Sequence, residues 1–302
     1  MKKPFLLIIY TLFILLLIGC QDRDSTNPDL TNLEEDHFAK EVKDKPLTFL
    51  VLGIDSRGEE QSRADSILVV HYIAEDRTLK IVSLMRDSYV KIPNYKHDFG
   101  KINEAYYEGG EKLLQETIKN NFGIEIDHTV TIDFKGFVNV VDTLVPEGIT
   151  VTVNQTMIDD MNLQMAPGEN TLNGEELLKY ARFRHDQQSD FGRVGRQQEI
   201  LLKVMNTMNE KINSLIGVTK VPLLVDEAIK NIDTDLTVTQ ILTLSSTMFL
   251  QPIEQIDTMR IPVNKGFVNK TYDHSGAVLE LNFLKNKEAM QKFFSEPTPV
   301  ND

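Results

Sequence analysis

Leu47-Thr48-Phe49-Leu50-Val51-Leu52-Gly53-Ile54-Asp55 is a nearly continuous apolar run that ends on a carboxylate. Apolar residues at successive rather than alternate positions are the pattern of a strand covered on both faces. The run predicts a central strand in a layered α/β fold. Two similar runs follow, Ser66-Ile67-Leu68-Val69-Val70-His71-Tyr72-Ile73 and Leu79-Lys80-Ile81-Val82-Ser83-Leu84-Met85, with the turn Glu75-Asp76-Arg77-Thr78 between them. The loop between the first two runs has about ten residues, and a parallel crossover needs about a dozen or more, usually with a helix. The first and second strands are therefore expected to be antiparallel, and the tight turn makes the second and third antiparallel too. That geometry sends Asp55, Asp65 and the pair Arg86-Asp87 to one edge of the sheet.

Helical patterns come next. Gly110 to Phe122 carries Leu113, Leu114, Ile118 and Phe122 near helical spacing, with Gly123 as a C-terminal stop. Val130-Thr131-Ile132 reads as a strand. Phe134, Phe137, Val138 and Val141 stand at i, i+3, i+4 and i+7, so 134–144 is an amphipathic helix. Ile149 to Val153 alternates like a strand. Asn173 caps a helix opening at Gly174, with Glu176 completing the capping box, and that helix is expected to end near Tyr180. A long helix is expected from about Gly192 to Ile212, then helices near 223–231, 237–250 and 280–294 and a strand near 257–262. No internal repeat is visible.

The N-terminus reads differently. Met1-Lys2-Lys3 is basic, Phe5 to Ile18 is apolar apart from Tyr10 and Thr11, and Leu17-Ile18-Gly19-Cys20 closes the run. It falls short of the ~20 residues that span a bilayer and suits the apolar part of a signal peptide. Its end resembles the lipobox of bacterial lipoproteins, which makes Cys20, the sole cysteine, a lipid-attachment candidate. An uncleaved signal anchor is the alternative. Either places the rest of the chain outside the cytoplasm. Residues 21–45 are polar and acidic and read as a flexible tether, leaving 46–302 as the folded domain. With 32 basic and 45 acidic residues the net charge is −13, which argues against a nucleic-acid partner. An anionic ligand would need a local group of arginines.

Such groups exist. Asp55-Ser56-Arg57, Arg63-Ala64-Asp65-Ser66 and Arg86-Asp87 bring acids and arginines to one rim. Carboxylates suit Mg²⁺, which often binds through one or two of them plus substrate phosphates. The arginine fork matches phosphate oxygens. Salt-bridged strand ends are the plain alternative. A second group is Arg182 and Arg184, expected together on an extended stretch after the Gly174 helix. Arg193, Arg196 and Gln197 follow at the start of the long helix, in line with the apolar Ile200. No Walker loop, CxxC pair or metal-spaced histidine set is present.

Taken in order, Leu-Gly-Ile-Asp-Ser-Arg, Arg-Ala-Asp-Ser, Ser-Leu-Met-Arg-Asp, Lys-Ile-Asn-Glu-Ala-Tyr, Gly-Gly, Asp-Phe-Lys-Gly-Phe, Leu-Asn-Gly-Glu-Glu-Leu-Leu-Lys-Tyr-Ala-Arg-Phe-Arg and Asp-Phe-Gly-Arg-Val-Gly-Arg-Gln-Gln resemble the LytR-CpsA-Psr family from about Leu47 to Leu202. Met85 departs from the proline common in relatives. The resemblance implies a three-layer α/β/α sandwich around a mixed, largely antiparallel central sheet. It implies an extracytoplasmic phosphotransferase on the outer face of a Gram-positive-type cytoplasmic membrane. The donor would be a glycan, such as teichoic acid, on a polyprenyl pyrophosphate carrier, and the acceptor N-acetylmuramic acid of peptidoglycan. Mg²⁺, or Mn²⁺ in its place, would be the cofactor, held by Asp55 and Asp65. Arg63, Arg86, Lys101, Arg182, Arg184, Arg193, Arg196 and Gln197 would contact the pyrophosphate. Arg86, Asp87, Arg182 and Arg184 would form the catalytic set, with Asp87 or Asp55 free to take the acceptor proton. A regulatory polyprenyl-phosphate binder and a pyrophosphatase remain open alternatives.

Overall fold

In a computed structural model, residues 37–55, 62–185, 189–212 and 229–296 are described. The run that begins at Leu47 is strand β1 (Leu47–Ile54), followed by β2 (Ala64–Ile73) and β3 (Thr78–Leu84). Both pairings are antiparallel, with Leu52 opposite Ile67 and Val70 opposite Ile81. β6 (His128–Asp133) lies parallel to β1 on its other side, and β10 (Gln255–Ile261) lies parallel to β3. The short β9 (Asp233–Thr234) closes a six-stranded sheet in the order β10-β3-β2-β1-β6-β9. Three of its five pairings are antiparallel, so the sheet is mixed and largely antiparallel.

Alternate residues of β1 serve opposite layers. Leu50 and Leu52 pack into one core with Leu114 and Ile118 of α2 (Ile102–Phe122) and Met290 of α8 (Phe283–Ser295). Leu47 and Phe49 pack into another with Leu244 of α7 (Val238–Leu250). Both faces are thus covered, as the apolar run required. A third core lies beyond the edge, between α3 (Phe134–Leu144), the hairpin β7 (Ile149–Val153) and β8 (Gly168–Leu172), α4 (Gln155–Met161), α5 (Gly174–Arg182) and α6 (Ser189–Ile212). A second sheet, in the order β11-β12-β4-β5, combines β4 (Ser88–Lys91), β5 (Phe99–Lys101), β11 (Phe267–Tyr272) and β12 (Gly276–Leu281).

Several expected boundaries move. Residues 37–44, inside the stretch read as a tether, form a helix, α1. Phe38 and Val42 fall at i and i+4 and are buried against Leu47 and Tyr72, so two apolar residues suffice to dock a polar segment. The helix expected from Gly110 begins at Ile102. Glu104 accepts from the Lys101 backbone N–H at 2.9 Å and fixes that start. The helix breaks at Gly109-Gly110, where φ of +63° at Gly110 is open only to a residue without Cβ strain. Gly123 stops it as expected, with its N–H on the Lys119 carbonyl at 2.8 Å. α5 continues past Tyr180 to Arg182 before Phe183 turns extended. α8 starts at Phe283 rather than near 280, because Asn282 caps it and 276–281 is strand. The helix expected at 223–231 and the N-terminal segment with Cys20 fall almost wholly outside the described residues. Among the described residues no helix is long and apolar enough to cross a membrane.

The docking of α1 is testable by equilibrium urea unfolding. Phe38 is 4% exposed and sits edge-on to the His128 ring at 5.8 Å. Phe38→Ala should lower stability by about 3–5 kcal/mol, the usual cost of emptying a buried aromatic site. A loss below about 1 kcal/mol would mean that α1 does not belong to the core.

Candidate active site

The sheet edge and the third core meet at a cavity of about 480 Å³. Its floor is the β1–β2–β6 face, where Val51, Gly53, Leu68 and Ile132 point into it. α3 contributes Phe134, Phe137, Val140 and Val141, and α6 contributes Ile200, Leu201 and Val204. These are the same stripes that make the two helices amphipathic, so the cavity is a stretch of core that no side chain fills. Gly53 keeps the floor low. A Cβ there would meet the Ser66 Cβ at 3.1 Å.

The rim is charged. Arg86, Arg182, Arg184, Arg193 and Gln197 line it together with Asp65. Arg86 Nη1 donates to Asp65 Oδ1, and its Nε lies 3.6 Å from Asp87 and 3.9 Å from Asp190. Arg193 bonds Asp190 at 3.0 Å and lies 3.9 Å from Asp65, while Arg184 lies 3.5 Å from Asp190. Arg182 sits 3.9 Å from Asp55 and 4.2 Å above the Phe134 ring. Burial pulls the Arg86 guanidinium down, but Asp65, then Asp87 and Asp190, more than offset it and leave its pKa raised. Arg193 is the opposite case. Burial outweighs the Asp190 charge, Arg86 adds repulsion, and its pKa is lowered. An anion entering the cavity would relieve that desolvation and repulsion. The Nε atoms of Arg86 and Arg193 are buried without a hydrogen-bond partner, which leaves donors for such a ligand.

The three strand ends therefore converge as the antiparallel geometry required, and Arg182 and Arg184 both reach the cavity although one ends a helix and the other follows it. Five sequence candidates stand apart from the lining: Asp55 and Asp87, held close to it by Arg182 and Arg86, and Arg196, Arg63 and Lys101. Arg196 is turned inward, 7% exposed, donating to the Phe183 carbonyl and stacked 5.1 Å from the Phe183 ring. It holds the backbone that carries Arg184. Arg63 is exposed, 5.3 Å over the Tyr107 ring. Lys101 bonds Asp87 at 2.9 Å. Asp190, by contrast, was not among the sequence candidates, yet it contacts three rim arginines. Its signal was an acid three residues before Arg193 in the first turn of a helix. Tyr180 joins α5 to α6 through Glu199 at 2.8 Å, and burial, then that carboxylate, push its hydroxyl well above the usual range.

Among the described residues no group of three or more His, Cys, Asp or Glu could hold a metal by itself. The hard-oxygen set offered to a cation is Asp55 and Asp65, at neighbouring strand ends where Ile54 pairs Ala64, with side chains 20% and 29% exposed. Two carboxylates beside an arginine-lined cavity fit Mg²⁺, which commonly completes its shell with phosphate and water.

Asp190→Ala should cost about 3 kcal/mol in urea unfolding, because three guanidinium groups lose a shared buried counter-charge. Asp190→Asn, which keeps the shape, should cost nearly as much; if it proved neutral, charge would not be what Asp190 supplies.

Residues 18–292 match the LytR_cpsA_psr family. The chain is 35% identical over 254 residues to the regulatory protein MsrR of Staphylococcus aureus (strain Mu50), covering 84% of this chain and 76% of the relative. It is 30% identical over 250 residues to the polyisoprenyl-teichoic acid–peptidoglycan teichoic acid transferase TagU of Bacillus subtilis (strain 168), covering 78% and 79%. Among solved structures it resembles TagT bound to LI-WTA, with TM-score 0.66 and 25% identity over 83% of this chain and 90% of the other. It also resembles TagV of B. subtilis, with TM-score 0.66 and 28% identity over 84% and 99%.

Proposed function

The chain belongs to the LytR-CpsA-Psr family, and from that premise we propose that it moves an anionic glycopolymer, as its phosphate, from a polyprenyl pyrophosphate carrier to peptidoglycan. The observation that carries this reading is the pairing of an apolar cavity with an arginine rim. A polyprenyl tail is apolar along its length and its pyrophosphate is not, so one end of the cavity suits each part. The relatives named as teichoic acid transferases make a wall polymer the natural cargo and peptidoglycan the acceptor, for which we take N-acetylmuramic acid as the residue that bears the hydroxyl.

Arg184 and Arg182, the more exposed of the rim, would capture the pyrophosphate. Arg86 and Arg193, deeper and fixed by Asp65 and Asp190, would hold the charge that builds on the leaving phosphate. Donors already in place cost no reorganisation at the moment of reaction. Asp55 and Asp65 would hold Mg²⁺, which when bound supplies a Lewis acid beside the phosphates. Phe134, Phe137 and Leu201 exclude water from the lipid. The same reading sets the domain on the outer face of the membrane, tethered through its N-terminal segment by lipidated Cys20 or an uncleaved anchor. The name of MsrR keeps a regulatory binder in view as the second reading.

Mass spectrometry of a reaction containing lipid-linked glycan pyrophosphate, Mg²⁺ and peptidoglycan oligomers separates the readings. The expected product is a glycan phosphate on muramic acid that disappears with chelator. Arg184→Ala should cut kcat/KM by about 10²–10³, the range for removing one preorganised donor, without loss of stability. Full activity in Arg184→Ala would remove the rim from the mechanism. Bound but unreacted lipid would favour the binder, and free phospho-glycan a pyrophosphatase.

A further inference from the structure

A second cavity, of about 340 Å³, opens on the other side of the same charged cluster. Asp87, Asp190 and Phe191 line one wall, and Asn269, Lys270 and Thr271 of β11 line the other. The cluster presents different groups to the two cavities, although Asp65 also lines the first and Lys270, paired with Glu280 at 2.6 Å, also lines the second. Arg86, Arg184 and Arg193 face the first, whereas the carboxylates Asp87 and Asp190 face the second. With Lys270 already paired to Glu280, the carboxylates of Asp87 and Asp190 make the second cavity a poor place for a pyrophosphate. An uncharged ligand rich in hydroxyls would not, and it would find an amide at Asn269, a hydroxyl at Thr271 and an aromatic ring at Phe191. Phe191 is fixed for that purpose, packed 5.4 Å from Phe267 with the Arg260 guanidinium 4.4 Å from its ring. β11 is the outer strand of its sheet, so one row of backbone donors and acceptors is left without a strand partner.

We propose that this second cavity is the acceptor subsite, taking a hydroxyl-bearing sugar of the peptidoglycan strand, and that Asp87 accepts the proton of the attacking hydroxyl. The proposal rests on the transfer reading above. The alternative base, Asp55, does not line the second cavity and is one of the two carboxylates offered to the cation. Asp190 has its Oδ1 buried among the arginines and acts by positioning them. Asp87 has one oxygen bonded to Lys101 at 2.9 Å, while the other is 3.6 Å from Arg86 Nε, too long for a hydrogen bond. That second oxygen is the one available as a base. In the step itself the sugar oxygen forms a bond to the phosphorus next to the glycan. The bond from that phosphorus to the bridging oxygen breaks, and its electron pair leaves with the polyprenyl phosphate. The hydroxyl proton passes to the Asp87 carboxylate. Donor and acceptor thus approach from opposite sides of the phosphorus, as an in-line displacement requires.

The test has two arms, both on the full chain in detergent. In the first, a lipid-free muramic-acid oligosaccharide is titrated by NMR with no donor present. Thr271 is exposed on an edge strand, so Thr271→Trp fills the cavity without touching the core. It should weaken binding at least about tenfold, whereas Gly53→Val, which fills the first cavity, should not change it. Absence of saturable binding, an unaffected Thr271→Trp, or equal loss in Gly53→Val would overturn the subsite. In the second arm, Asp87→Asn should keep oligosaccharide and donor binding but lower kcat by about 10²–10⁴ with the acceptor KM unchanged. Retained turnover, or loss of binding in place of turnover, would overturn the assignment of Asp87. Since the first arm uses no donor, its failure sinks the subsite alone. A wild-type chain that transfers nothing sinks the transfer reading, and the role of Asp87 with it.

Discussion

Asp190 stands between guanidinium groups that would otherwise repel one another. Arg86, Arg184 and Arg193 all come within 4 Å of it, and Arg86 and Arg193 also share Asp65. Positive charge cannot be concentrated in a half-buried rim without such counter-charges, because desolvation and mutual repulsion both oppose it. The cluster resolves the apparent conflict between an arginine-rimmed cavity and a chain of net charge −13. The surplus of acids is distributed, and at the rim it is spent on holding arginines in place. Everything downstream depends on this. The helix start that carries Asp190 and Arg193 must meet the strand ends that carry Asp65 and Arg86, and the cavity lies where they meet.

The apolar half follows from the period of β1. Alternate residues go to opposite layers, and on one face Leu47 and Phe49 are covered by α1 and α7, whereas Val51 packs there only in part and Gly53, further along, faces the cavity. The sheet runs on past its helical cover, and α3, α5 and α6 close over the uncovered part without filling it. A binding cavity and a hydrophobic core here differ only in whether a side chain occupies the space, and at Gly53 none does.

Much of this is legible in the sequence. Loop lengths alone ordered the first three strands and placed Asp55, Asp65 and Arg86-Asp87 on one edge. The 3.6-residue stripes on 134–144 and from Arg193 onward identified the faces that line the cavity. What escaped had weak local signal. α1 is docked by two apolar residues in a polar stretch, and the second sheet is built from short strands whose partners lie far away in sequence, as when Leu279 pairs Ser88. Arg196 shows the limit of a stripe: it shares the spacing of Arg193 and Gln197, but one helical position decides between the cavity and the Phe183 carbonyl. Asp190 escaped because a single acid among arginines has many bland explanations until its three partners are seen together.

The uneven burial of the rim has a consequence for ionic strength. Arg193 and Arg86 have side chains 4% and 18% exposed, whereas Arg182 and Arg184 are 46% and 43% exposed. Dissolved ions screen exposed charges within about 10 Å at 0.1 M but reach buried ones far less. Under the proposed function the outer pair would govern how fast an anion is collected and would respond to salt, whereas the inner pair would govern how firmly it is kept and would not. A pocket built in these two tiers can lose speed in a concentrated medium while keeping its grip.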